Sequence, residues 1–335
     1  PRRFRVDKMR AARLVEPGKM VCDDAAILEP KEGEVLVRNN MAAICGSDLH
    51  QVFFGSGNAA SFPREPGWPG HEGVGEIIES KFAGLKVGDR VLTVPGGGFQ
   101  RCFADYQTLP GTWCLPLPAY DGPVEDLLMA QQFGTTIYAL RRGNMDFTGK
   151  TVAVLGQGSA GMFFSWLAKH MGADKVIVTD LSSARLAQSA TFGADIAVHG
   201  DPEGKALREA VMDSSGGRGA HIVIEAVGRQ ETILQAIDVA RPRGNVVFFG
   251  LPDTNQTVPF SYSKFFMKQL QMYAVVGAQG EDDLVSFHKA LDWIARREID
   301  VTTMVSHRLS LESIGKAMSL AHERDEDALK VTLTF

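Results

Sequence analysis

Hydrophobic and polar positions change rhythm twice along this chain. Up to about residue 120, apolar residues fall in short β-prone runs at 34–39, 75–79 and 89–94, set among Gly and Pro, which predicts an irregular β-rich domain. From Lys150 onwards, strand-length apolar runs at 151–155, 175–179, 196–198, 221–225 and 245–249 alternate with helical stretches. Those stretches lie at 162–170, from Ser182, near Lys205 and at 231–240. Buried strands alternating with helices imply a parallel sheet covered on both faces, extending towards six strands in doubly wound order. The C-terminal residues differ again, with helices at 282–297 and 311–322 and a closing strand at 328–335 that returns to the first domain. The predicted organisation is a β-rich domain over 1–133, a doubly wound domain over 134–276, and a return segment over 277–335.

Composition narrows the function class. A chain of 335 residues with 44% hydrophobic positions has ample core for two domains. A net charge of -5 leaves no electrostatic footprint for nucleic acid or anionic lipid. Cys22, Cys45, Cys102 and Cys114 are too sparse for a disulfide framework, so the expected setting is reducing and cytoplasmic. Residues 1–13 are basic but lack the apolar stretch of a secretory signal, and no apolar run reaches the length of a membrane span. Pro1 is the residue that removal of an initiator methionine would expose.

The first chemical signal is Gly156-Gln157-Gly158-Ser159-Ala160-Gly161, between the strand at 151–155 and the helix at 162–170. In that context Gly156 suits a tight turn, Gly158 admits a pyrophosphate to the backbone N–H groups of the helix start, and Gly161 permits close helix–strand packing. Asp180 ends the next strand, where its carboxylate can accept from both adenosine ribose hydroxyls and repel a 2'-phosphate, which favours NAD. Arg185, one turn further on, is the residue that could accommodate such a phosphate.

The second signal is a pair of upstream motifs, Cys45-Gly46-Ser47-Asp48-Leu49-His50 and Gly70-His71-Glu72. Cys45 and His71 are zinc-ligand types from separate segments, with the Glu72 carboxylate beside them. Taken with Gly88-Asp89-Arg90-Val91, the glycine fingerprint with Asp180, and Glu225-Ala226-Val227-Gly228, these landmarks make the chain resemble the zinc-containing medium-chain alcohol and polyol dehydrogenases over nearly its whole length.

The resemblance implies a Rossmann cofactor domain and a discontinuous GroES-like catalytic domain. It also implies catalytic zinc on Cys45 and His71, Asp48 orienting His71, Glu72 as a further ligand, and Ser47 and His50 as a proton relay through the nicotinamide ribose. By the same residue-wise resemblance Thr135 touches the nicotinamide, Val227 and Arg229 border the adenosine, and Lys330 approaches the pyrophosphate. Gln131 stands where the family usually carries Cys, Asp or Glu, so either Cys45, His71 and Glu72 hold the ion with help from Gln131 or water, or the ion is lost. The family's structural-zinc cysteine cluster is absent, since only Cys102 and Cys114 occur between Val91 and Tyr120; one catalytic zinc and no structural zinc are expected.

The activity implied is reversible oxidation of a secondary alcohol, polyol or sugar-type hydroxyl by NAD. Phe53, Phe54, Phe62 and Trp68 are candidates for an apolar pocket wall. Two alternatives stand beside it: a zinc-free reductase of an activated double bond, suggested by Gln131, and a non-catalytic dinucleotide-binding protein of the same fold. A dimer or tetramer is expected, with 245–249 and 271–277 as contact elements.

Overall fold

The computed structural model describes residues 8–55, 62–252, 257–324 and 327–335. Residues 1–7 of the basic N-terminal stretch therefore lie outside the described residues. The chain divides into two compact units, Pro1–Gly134 with Gln279–Phe335, and Thr135–Ala278.

In the second unit six strands form an all-parallel sheet. Their spatial order is Ile196–His199, Lys175–Asp180, Thr151–Leu155, Ala220–Glu225, Ala240–Phe248 and Gln271–Ala274, the doubly wound arrangement. All five residues of the central strand Thr151–Leu155 are buried, as expected for a strand with helices over both faces. Ala153, Leu155, Ile177, Val223 and Val246 meet Leu207, Val211 and Ile237 in one apolar core.

The first unit is built on a seven-stranded mixed sheet. Glu34–Ala43 lies at its centre, antiparallel to Glu72–Ser80 on one side and, on the other, to Tyr106–Pro110 and Lys330–Thr334 along different stretches of its length. A hairpin of Lys8–Glu16 and Lys19–Ala26 joins this unit, and Leu14, Met20, Ile44, Phe103, Ile314 and Leu333 share its main core. Gly75 sits where the central strand passes so close that a Cβ would stand 2.3 Å from the Arg38 carbonyl oxygen.

Two expected helices start late. The one expected at 282–297 is α-helical only over Val285–Ala295, because Asp283 and Leu284 take left-handed backbone angles that break the turn before it. The one expected at 311–322 opens with a 3-10 turn and is α-helical over Ile314–Glu323. The strand expected at 245–249 starts earlier, at Ala240, and includes Arg243 at φ 59°. The hairpin at the N-terminal end is missing from the sequence reading, since its alternation is interrupted by adjacent small residues Ala11 and Ala12, both buried.

Gly75→Ala is expected to lower the thermal midpoint, through a loss of about 1–3 kcal/mol from forcing the two strands apart. A calorimetric midpoint equal to the parent's would show that the strands absorb the methyl group.

Candidate active site

Strand register assembles the first cluster. Ala43, the last residue of the central strand Glu34–Ala43, pairs with Glu72 on one side and with Thr332 on the other. Cys45 follows two positions beyond Ala43, His71 immediately precedes Glu72, and Lys330 opens the strand carrying Thr332. Three distant segments thus converge at one end of one strand. The ligand atoms of Cys45, His71 and Glu72 all lie within 4.8 Å of one another, and among the described residues they form the group of Cys, His and acidic side chains placed to hold an ion.

Asp48 organises this cluster from the short helix Gly46–Leu49. It is fully buried; its Oδ2 accepts the Cys45 backbone N–H at 2.8 Å, and its Oδ1 lies 2.9 Å from His71 Nδ1. That contact places the ring proton on Nδ1 and turns Nε2 towards the cluster, where Ser47 Oγ stands 3.3 Å away. Burial opposes charge on His71, but the Asp48 charge and hydrogen bond, together with Cys45, outweigh it and hold the imidazole pKa well above its ordinary value. Burial likewise drives the Asp48 carboxyl up, against the pull of His71.

Glu72 is buried completely and its Oε1 accepts no hydrogen bond. Its Oε2 lies 2.5 Å from Lys330 Nζ, itself 2% exposed. This corrects the expectation that Lys330 reaches the pyrophosphate: its ammonium is committed to Glu72, because the register of Lys330–Thr334 points it into the cluster. Burial alone would lower the Lys330 pKa, yet Glu72 and Cys45 raise it, so the ammonium keeps its charge. An acceptor-only carboxylate oxygen left bare in a dry site, beside a thiol and an oriented imidazole, fits a cation. Gln131 is buried in the first turn of the helix Ala130–Gly143, and His50 is half-buried with its ring 5.6 Å from that of Phe54.

The expected aromatic wall is uneven. Phe53 stacks on His322 at 3.9 Å and packs on the core with Trp68, whereas Phe54 and Phe62 are exposed. Core packing therefore occupies two of the four. Cys102 is buried in the main core and Cys114 in a separate apolar cluster, and burial drives both thiol pKa values far up.

The glycine loop in the second unit shows three distinct geometries. Gly156 has φ 91°, and a Cβ there would strike Val227 at 2.7 Å. At Gly161 a Cβ would overlap the Gly156 carbonyl at 1.9 Å, whereas at Gly158 the nearest atom is an Arg185 guanidinium nitrogen 3.9 Å away. Gly158 is therefore dispensable to the fold and leaves open space at the start of the helix Ser159–His170, the cradle an anionic pyrophosphate requires.

Asp180 braces this loop. Its Oδ2 accepts the Gln157 N–H at 2.6 Å and its Oδ1 accepts the Ser182 N–H at 2.8 Å, leaving lone pairs on both oxygens for hydroxyl donors. Glu225 Oε1 accepts from the backbone N–H groups of Val227 and Gly228, shaping the neighbouring turn, while Arg229 caps the helix Gln230–Val239 and Thr135 is half-buried in Ala130–Gly143.

Residues 31–119 match the alcohol dehydrogenase GroES-like domain family, and residues 161–296 match the zinc-binding dehydrogenase family. The chain is 28% identical to human sorbitol dehydrogenase over 323 residues, covering 88% of each, and 27% identical to sorbitol dehydrogenase of Bacillus subtilis over 350 residues, covering 96% of each. An alcohol dehydrogenase structure from Thermotoga maritima superposes with a TM-score of 0.82 at 25% identity, over 98% of this chain and 99% of that one.

Gly158→Ala and Gly161→Ala separate ligand space from packing space. The first is expected to keep the parent's melting temperature and lose at least about tenfold in dinucleotide affinity, and the second to melt earlier. Undiminished dinucleotide binding by the Gly158 variant in a fluorescence titration would move the pyrophosphate elsewhere.

Proposed function

Because the chain belongs to the medium-chain alcohol and polyol dehydrogenases, we propose that it oxidises a secondary alcohol, polyol or sugar-type hydroxyl to a carbonyl, using NAD and one catalytic zinc. The observation carrying this reading is the convergence of the half-buried Cys45 thiol, the Asp48-oriented His71 ring and the buried Glu72 carboxylate with its bare Oε1. Charge supports it. The Cys45 thiol and the Asp48 and Glu72 carboxyl groups outnumber the Lys330 ammonium at the cluster, a set of donor types that suits a dication.

Zinc held by Cys45, His71 and Glu72, with Gln131 as a further donor, would supply a Lewis acid that lowers the pKa of a substrate hydroxyl. NAD on the Gly156–Gly161 loop and Asp180 would supply the hydride acceptor. Ser47 Oγ, 3.3 Å from His71 Nε2, would take the alcohol proton and His50 would release it to solvent, general acid–base roles of the kind worth about 10²- to 10⁴-fold. Asp48 holds a proton on His71 Nδ1, so the proton that a bound metal would displace is the one on Nε2, freeing that nitrogen as a ligand. Lys330 fixes the Glu72 carboxylate by ion pairing.

Further parts of the reading rest on separate observations. Burial of Cys102 and Cys114 in different apolar clusters supports a single zinc. Four free thiols support a cytoplasmic setting. Exposed Phe266, Met267 and Val276, flanking the edge strand Gln271–Ala274, support a homo-oligomer built on that edge. Arg185 beside Gly158 is compatible with ribose recognition by Asp180, whose charge favours NAD over NADP.

Elemental analysis with NADH formation across polyols and secondary alcohols tests the main reading. About one zinc per chain and alcohol-dependent NADH are expected, and Cys45→Ser should lose both together. A Cys45 variant with full turnover would exclude this chemistry, and a metal-free parent inactive on alcohols would favour the reductase alternative.

Asp180→Gly is expected to shift the NAD-to-NADP ratio of kcat/KM by at least about tenfold towards NADP. An unaltered ratio would remove Asp180 from ribose recognition.

A further inference from the structure

The N-terminal ends of three neighbouring strands, Thr151–Leu155, Ala220–Glu225 and Ala240–Phe248, open on a concavity of about 770 Å³ in the second unit. It lies at the opposite end of Thr151–Leu155 from the glycine loop, so no part of the dinucleotide site contributes to it. Its lining is cationic although the chain as a whole carries a charge of -5. Lys150, Arg218, Arg241 and Arg243 face it together with His221, and the one carboxylate in the lining, Asp146, lies 3.9 Å from Lys150. Among the described residues no carboxylate stands within ion-pair distance of Arg218, Arg241 or Arg243.

His221 supplies the second observation. The Thr151 backbone N–H donates to its Nδ1 at 3.0 Å, and the Arg241 guanidinium makes a short contact with its Nε2. A neutral imidazole has a single accepting nitrogen. Thr151 is buried and its amide needs an acceptor, so Nδ1 accepts and Nε2 carries the hydrogen. Nε2–H and the Arg241 guanidinium are then neighbouring donors on the wall of the concavity, and neither accepts from the other. Burial lowers the His221 pKa, as do the charges of Arg241, Lys150 and Arg218, so the ring is neutral and its tautomer is fixed by Thr151.

We propose that this concavity binds a small phosphate-bearing anion, whose oxygens accept from His221 Nε2–H and from the guanidinium groups of Arg241 and Arg218, with Lys150 and Arg243 adding charge. Planar guanidinium forks match phosphate oxygens in pairs, and the fixed imidazole donor adds direction that surface lysines lack. The concave shape and limited volume favour a small molecule over a polymer. Its place at the strand starts makes it independent of the dinucleotide.

The test is a ³¹P NMR line-broadening titration of the full-length protein with inorganic phosphate at low ionic strength, with and without saturating NADH. Saturable broadening that survives NADH, and that weakens about tenfold in Arg241→Gln and in Arg218→Gln, is the expected result. Arg218 lies in an exposed loop, so its variant keeps the question open should Arg241→Gln fail to fold. Three results would overturn the proposal: no broadening in the parent, broadening abolished by NADH, which assigns the ion to the glycine loop, or equal broadening in parent and variants.

Discussion

The first unit's chemistry depends on one buried carboxylate. Asp48 divides its two oxygens between the Cys45 backbone and the His71 ring, so the segments before and after a long excursion of chain are tied through a single side chain. Asp48 is at zero exposure, and leaving either of its oxygens without a partner would cost about 1–3 kcal/mol or more for a charged group. The arrangement is therefore all-or-none. The same bond that satisfies Asp48 sets the His71 tautomer, and the tautomer decides which nitrogen faces Cys45 and Glu72.

Much of this was legible in the residues themselves. The parallel sheet announced itself through buried strands spaced by helices, and Gly156, Gly158 and Gly161 sit in a turn where each glycine meets a different constraint. Cys45, His71, Glu72 and Asp48 were recognisable as a set because two short motifs carry all four. Lys330 was not, since a lone basic residue near the C-terminus gives no sign of which strand it will pair with. Only the antiparallel register of Lys330–Thr334 against Glu34–Ala43 brings it to Glu72. The left-handed pair Asp283 and Leu284 escaped for a related reason, because leucine gives no sign of that conformation and a single Asp favours it only weakly.

The cationic concavity was illegible for a stronger reason. Its members come from the loop before one strand, the loop before and the start of a second, and the start of a third, and nothing in their local patterns links them. A parallel sheet aligns all its strand starts at one edge as surely as it aligns all its strand ends at the other. Attention to the glycine fingerprint selects the second edge, while Lys150, His221 and Arg241 collect at the first.

Finally, the burial of thiols has a bearing on durability. Burial drives the pKa values of Cys22, Cys102 and Cys114 up, so at neutral pH these sulfurs remain protonated and slow to react with electrophiles or peroxide. That leaves Cys45, the thiol in the proposed metal-ligand set, as the sulfur whose oxidation would reach the proposed chemistry. A bound cation would then act as a chemical shield for the one sulfur whose loss matters, and starvation for metal would convert directly into sensitivity to oxidants.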